Sequence, residues 1–250
     1  MIGCKKNNIM NTKKLFIWIK VCVVCFLVVL NSCEKPKPPE PPVKFSIVGY
    51  INVPNAVLIE AYRVLGIDVP HIVTIASNEV DNGNFKIILP DTLNSELVIN
   101  ISVIFPAEMN YEVSSPDANF AQIGYIGLYK SYNPIPPNWI GQPLCGKVFE
   151  KRDTPTEYYL NRVVKYWYYV DRDVTVGGTY KGQRVIQGIP GTDICTPDLS
   201  LKKGWNEVYE EEIWEINRQP GGTYTWTTII TTTKYAKYVG LEWYLWDGTY

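Results

Sequence analysis

The chain has almost no histidine: its 250 residues include only His71. A metal site built from several histidines is therefore excluded within one chain. His71 also lies in the first half of the sequence, whereas Cys145 and Cys195 lie in the second. A cysteine nucleophile there would lack the histidine base that commonly activates it. The sequence thus predicts no histidine-dependent catalysis.

Familiar catalytic motifs are missing as well. There is no G-x-S-x-G nucleophile elbow, no complete phosphate-binding P-loop and no H-E-x-x-H zinc motif. We therefore predict no catalytic residues, no metal site and no cofactor.

An excess of positive charge is also absent, although the overall balance of 24 basic to 25 acidic residues hides this. Five lysines and no acids fall within residues 1–32, which leaves 19 basic side chains in the remainder against the same 25 acids. Nucleic-acid binders rely on a basic surface, so a nucleic-acid partner is not expected.

The first 32 residues have the composition of a secretory signal peptide. Lys5, Lys6, Lys13 and Lys14 precede an apolar run over residues 15–30 that only Lys20 interrupts. The uninterrupted stretch, residues 21–30, is too short to span a bilayer as a helix but suits a signal-peptide core. If residues 15–19 are included, the run approaches membrane-spanning length, and an uncleaved anchor is the alternative.

The end of this segment, Leu30-Asn31-Ser32-Cys33, resembles the lipobox of bacterial lipoproteins. In that family the cysteine thiol receives diacylglycerol, the peptidase cuts before it and the new amine is acylated. The resemblance implies that Cys33 is lipidated, with acyl chains such as palmitate, and that it contacts the membrane. Glu34 would be the second residue of the mature lipoprotein, and it favours the outer membrane over the inner one. The sequence does not decide between the periplasmic and the surface-exposed face of that membrane.

A proline-rich linker follows, residues 33–43, with five prolines among residues 34–43. Such a segment excludes helix and interior strand and favours extended polyproline II. Apart from Cys33 and the three cysteines of the signal peptide, only Cys145 and Cys195 remain. Two cysteines left in an exported chain suggest a disulfide, and two unpaired buried thiols are the alternative.

From residue 44 onward the pattern is all-β, because Val, Ile, Thr and Tyr alternate with polar residues between Gly, Asn and Pro. In the first part we predict strands at residues 44–53, 56–62, 72–77, 84–89 and 97–105, with a tight turn at Asn82-Gly83. Residues 44–112 resemble the transthyretin-like, carboxypeptidase-regulatory-like β-sandwich through Val48-Gly49, residues 56–61, the hairpin 81–87 and residues 97–99. That resemblance implies a non-catalytic spacer or interaction domain.

Polar residues 111–119 predict a domain boundary, and residues 120–250 predict a second β-sandwich or barrel. Its predicted strands cover residues 123–129, 158–170, 173–180, 183–189, 199–201, 205–216, 224–233 and 241–245, with a loop at 134–143. Lys202-Lys203-Gly204 predicts a hairpin turn. Residues 169–180 and 199–209 resemble segments of uncharacterised lipoproteins from anaerobic Gram-negative bacteria, which implies a secreted β-module.

Tryptophan provides the most informative candidates for ligand binding, since seven remain after the signal peptide. Trp139, Trp243 and Trp246 are predicted to be exposed and to bind a glycan or a protein through their ring faces. Packing in the core is the alternative for all of them. We expect non-enzymatic binding or a structural role at the cell envelope. The alternative is glycan hydrolysis by two carboxylates, drawn from Asp171, Asp173, Glu210, Glu212, Glu242 and Asp247.

Overall fold

The computed structural model describes residues 44–53, 55–65, 71–123, 125–130, 139–186 and 188–246. The predicted signal peptide, the lipidation site Cys33 and the proline-rich linker lie outside these residues. Within the described ranges, no helix is long and apolar enough to cross a membrane.

Strands dominate the fold, and the predicted all-β class is confirmed. The first eight strands are β1 Ser46–Tyr50, β2 Leu58–Leu65, β3 His71–Asp81, β4 Asn84–Ile88, β5 Ile99–Asn100, β6 Tyr111–Val113, β7 Asn119–Gln122 and β8 Tyr125–Tyr129. The others are β9 Trp139–Asp153, β10 Glu157–Val170, β11 Val174–Gly178, β12 Tyr180–Ile186, β13 Ile189–Leu201, β14 Gly204–Asn217, β15 Tyr224–Thr231 and β16 Glu242–Trp246. One short helix, α1 Ile101–Ile104, and 3-10 turns at Ser95–Leu97, Ala107–Met109 and Ala236–Tyr238 complete the described elements.

These strands form one mostly antiparallel sheet, whose main path runs β1-β4-β3-β2-β8-β9-β10-β14-β15-β13-β11-β6. Its centre is the long β10–β14 ladder, in register from Glu157 opposite Asn217 to Val170 opposite Gly204. The predicted Asn82-Gly83 turn is confirmed between β3 and β4, since both residues adopt positive φ, 48° and 83°.

The predicted turn at residues 202–204 is also present, and Gly204 has φ of 97°. It does not close a hairpin, however, because β13 and β14 are not neighbours. Strand β15 lies between them, antiparallel to β14 and parallel to β13.

The predicted division into domains 44–112 and 120–250 is not confirmed, because both parts share one hydrophobic core. Ile47, Ile59 and Phe85 from the first part pack in the same buried cluster as Trp167 and Trp205 from the second. The Trp205 indole N–H also donates to the Pro90 carbonyl at 2.8 Å. Residues 44–250 accordingly form a single compact unit.

The predicted strand at 97–105 is largely wrong. Only Ile99–Asn100 is extended, and α1 follows at once. Ile101 and Phe105, four residues apart, are both buried in a second core cluster, whereas Val103 and Ile104 are exposed. This spacing places one apolar face of a helical turn against the sheet.

The predicted loop at 134–143 is wrong from residue 139, since Trp139 is the first residue of β9 and pairs with Tyr129. Residues 131–138 lie outside the described part of the chain.

Candidate functional site

The end of the central sheet, where the β9–β10 and β14–β15 turns come together, holds a surface depression of about 430 Å³. We call it the distal depression. It is lined by Arg152, Thr156, Glu157, Tyr158, Tyr159, Glu215, Ile216, Asn217, Gln219, Thr223 and Thr225. The volume lies within the range of small-molecule sites in proteins.

Strand register explains why these side chains meet. Arg152, Tyr159, Glu215 and Thr225 occupy directly paired positions across β9, β10, β14 and β15. Directly paired residues in antiparallel strands point to the same face, so the four form one row. The Arg152 guanidinium lies 4.6 Å from the centre of the Tyr159 ring, within range of a cation–π contact.

The turns that frame the depression are held by hydrogen bonds. Arg218 donates to Asp153 at 2.6 Å and to the Thr154 carbonyl at 2.8 Å. The Thr154 hydroxyl accepts from the Glu157 backbone N–H at 3.0 Å. The Asn217 N–H donates to the Thr223 carbonyl at 2.9 Å. The rim thus presents amide, hydroxyl, carboxylate and guanidinium groups from a braced scaffold.

A second group of polar residues lies further along β14. Arg162 and Glu212 are opposite one another on β10 and β14, both nearly buried, and their side chains form an ion pair of 2.5 Å. Glu210 lies two residues from Glu212 and therefore on the same face, about 6.7 Å away along the strand. Burial, reinforced by the negative charge of Glu212 and opposed by Arg162, raises the pKa of Glu210 to about 8.

Of the six predicted acids, the structure therefore brings only Glu210 and Glu212 together on one strand face among the described residues. Their surroundings differ, since burial raises the pKa of Glu210 whereas Glu212 forms an ion pair with Arg162. Two carboxyl groups in different surroundings are what paired acid and base roles require. Glu242 is exposed on β16, and Asp247 lies outside the described residues.

Asp171 and Asp173 serve the fold at the other end of β10. Asp171 accepts from the Asn119 backbone N–H at 3.0 Å and from the Asn119 amide at 2.9 Å. Although burial opposes the change, hydrogen bonds from Arg172 and Asn119 hold the pKa of Asp171 below its ordinary value. Asp173 accepts from Lys202 and from the Lys203 backbone N–H. Both acids therefore stabilise turns through hydrogen bonds.

Trp243 was predicted to be an exposed ligand-binding residue, and the structure instead shows it half-buried and packed against the core. Its indole stacks on that of Trp167, with ring centres 5.8 Å apart and planes 7° from parallel, and meets the edge of Phe85 at 4.8 Å. Trp139 and Trp246 begin β9 and end β16, and their side chains lie outside the described part of the structure. A binding role for those two stays a prediction.

The predicted Cys145–Cys195 disulfide is wrong for this fold, since both cysteines are free thiols. Cys145 is on β9 and Cys195 on β13, with β10, β14 and β15 between them. Four strand spacings amount to about 19 Å along the sheet. A disulfide requires Cα atoms within about 7 Å.

The distal depression was not predicted from sequence. Its lining comes from four strands and two turns, and most of its residues, taken alone, are ordinary polar residues of strand ends and turns. The only local signal is the Thr154-Pro155-Thr156 turn followed by Tyr158-Tyr159.

No protein-family model, curated protein or solved structure matches the chain. In the described part of the chain, no group of three or more His, Cys, Asp or Glu side chains is arranged to hold a metal ion.

Proposed function

We propose that this is an outer-membrane lipoprotein, anchored through Cys33, which binds a saccharide in the distal depression without catalysis. The observation that carries the proposal is the row formed by Arg152, Tyr159, Glu215 and Thr225 inside a depression of about 430 Å³. Amide, hydroxyl and carboxylate groups bond sugar hydroxyls, and a phenol ring packs against the C–H face of a sugar.

The polarity of the lining favours a saccharide over an apolar ligand. Asn217, Gln219, Thr223 and Thr225 offer donors and acceptors along the rim. Their backbones are fixed by the turn hydrogen bonds, which lowers the conformational entropy lost on binding.

The binding test uses the purified mature lipoprotein in detergent on a glycan array, followed by calorimetry with the glycan that binds. Tyr159→Ala should weaken affinity by about tenfold or more, as is usual for a central aromatic contact. Tyr50→Ala removes an exposed tyrosine outside the depression and should leave affinity unchanged. An empty array, or equal affinity in Tyr159→Ala, would overturn the binding proposal.

The anchor is tested separately by metabolic palmitate labelling. Cys33→Ala should remain unprocessed and unlabelled, because the thiol that accepts diacylglycerol is missing. Labelling that persists in Cys33→Ala would contradict the lipoprotein assignment.

A second candidate function, glycan hydrolysis, is favoured by one observation: Glu210 and Glu212 share a strand face, where burial raises the pKa of Glu210 to about 8 and Glu212 is paired with Arg162. The strand repeat places their Cα atoms about 6.7 Å apart, and side chains on such a backbone can hold carboxyl groups at the roughly 6.5–9.5 Å spacing of inverting glycosidases. Glu212 is nearly buried and already paired with Arg162, which favours a structural role. The test measures the release of reducing sugar from a glycan. Activity that is present in the unaltered protein and lost in both Glu210→Gln and Glu212→Gln would establish hydrolysis.

A further inference from the structure

Strands β1 and β4 form the edge of the sheet, and both of their faces carry apolar residues. Their inward face contributes Ile47, Phe85 and Ile87 to the core. On the outward face, Val48 is 59% exposed, Tyr50 54% and Ile88 47%. A strand with one face in water ordinarily places polar residues there.

The register places the outward residues together. Ser46 is opposite Ile88, Val48 opposite Lys86 and Tyr50 opposite Asn84. We call these six residues the β1–β4 outer face. β1 has no strand on its other side along the described sheet.

This face is the part of the folded body connected most directly to Cys33. Ser46 follows Cys33 by thirteen residues, and a fully extended chain of that length spans at most about 45 Å. An acylated Cys33 would hold β1 within that distance of the bilayer, whereas a second protein copy would have to be encountered by diffusion. Tethering of this kind gives a high effective local concentration of the tethered partner.

We propose that the β1–β4 outer face rests on the phospholipid bilayer in which Cys33 is anchored. This inference depends on the proposed lipidation of Cys33 and is independent of the saccharide site. Tyr50 and Lys86 suit such a position, because both have an apolar body and a polar tip that reaches the headgroups. The positive charges of exposed Lys44 and Lys86 are balanced by the negative charges of exposed Glu79 and Asp81 on β3. The contact with the bilayer is therefore chiefly apolar, and its strength should not depend on salt concentration.

The test places photoreactive p-benzoylphenylalanine at position 48 of the full chain, expressed in a host that processes lipoproteins. The mature protein is reconstituted into phosphatidylcholine–phosphatidylethanolamine vesicles and irradiated in low and high salt. Val185 is the matched control, since it is a valine that is 64% exposed on β12, away from the edge formed by β1. Position 48 should give several-fold more phospholipid adducts than position 185 at both salt concentrations.

Equal lipid adducts at the two positions would overturn the proposal. Cross-linking at position 48 to a second copy of the chain would overturn it too, because the edge strand would then pair with protein. Vesicle flotation of the same samples separates the failure of the anchor from the failure of the contact. A chain that fails to float refutes the anchor and this contact together, while a chain that floats without excess adducts at position 48 refutes the contact alone.

Discussion

At the scale of single residues, Gly49 allows an aromatic cluster to pack against the backbone of an edge strand. The Trp243 indole occupies the space where a side chain at position 49 would lie. Trp243 in turn stacks on Trp167 and meets Phe85, so three rings from distant segments join the core at this point.

Gly49→Ala is therefore expected to destabilise the protein. The added methyl group would overlap Trp243 and approach within 2.6 Å of the Phe85 ring. Overpacking of this kind typically costs about 1–3 kcal/mol. Urea denaturation should show the loss, and Gly177→Ala is the control because a methyl group at position 177 would meet nothing within 4 Å. Equal losses in the two variants would contradict the packing argument.

Glu210 should make stability depend on pH. Its pKa rises from an ordinary 4.5 to about 8 in the folded state, so the native protein keeps a proton that the unfolded chain releases between these values. The associated stabilisation is complete below pH 4.5 and is lost as pH rises through about 8.

The free energy of unfolding should therefore fall between pH 4.5 and about pH 8, and Glu210→Gln should flatten this fall. The amide is neutral throughout and retains the shape of the protonated acid. Urea denaturation across this pH range measures both slopes, with Glu96→Gln, which alters an exposed acid, as the control. An unchanged slope in Glu210→Gln would assign the pH dependence to other groups.

At the scale of elements, the alternation of apolar and polar residues predicted most strands, because in most strands one face is more buried than the other. β10 and β14 were predicted nearly to their observed ends. β9 was missed completely: its first residues fall in the predicted loop at 134–143, and its second half, residues 147–153, is exposed and shows no apolar alternation. Residues 97–105 were misassigned because a single helical turn, Ile101 to Phe105, contains the same branched apolar residues that favour strands.

The candidate site was less predictable than the strands. Its row of residues depends on register between four strands. A hairpin turn sets the register of β9 with β10 and of β14 with β15, but no local motif encodes the register of β10 with β14. The acids Glu210 and Glu212 were among the predicted candidates, yet only the fold shows that Arg162 is opposite Glu212.

The separation of β9 from β13 predicts that Cys145 and Cys195 stay unpaired in the folded protein. Cys145 and Cys195 should both react with an alkylating agent when the non-reduced protein is unfolded in urea, because three strands separate them. Mass spectrometry should find two alkylated cysteine peptides. A linked peptide pair lighter by two hydrogens would require the two Cα atoms to lie within about 7 Å and so contradict this structure.

At the scale of the whole molecule, one core extends from β1 to β14. Residues as distant in sequence as Ile47 and Trp205 share it. A chain organised in this way should unfold cooperatively, because neither half can lose its packing without exposing the other.

Calorimetry of the protein should accordingly show a single transition, with equal calorimetric and van't Hoff enthalpies. Trp205→Phe removes the hydrogen bond to Pro90 and should lower the midpoint temperature of that single transition without splitting it. Two separable transitions, with only one of them shifted in the variant, would restore the two-domain arrangement.

The position of β15 between β13 and β14 has a consequence for how the chain reaches this structure. β13 and β14 are joined by only Lys202 and Lys203, and both precede β15 in the chain, so both leave the ribosome before β15 does. Two adjacent strands with so short a connection readily pair as a hairpin. β15 must then displace that pairing and form a parallel ladder with β13, from Gly191 opposite Tyr224 to Asp198 opposite Thr231. Parallel, non-local pairing is slow, and we expect insertion of β15 to be the late step in maturation, during which the unpaired edges are open to chaperones.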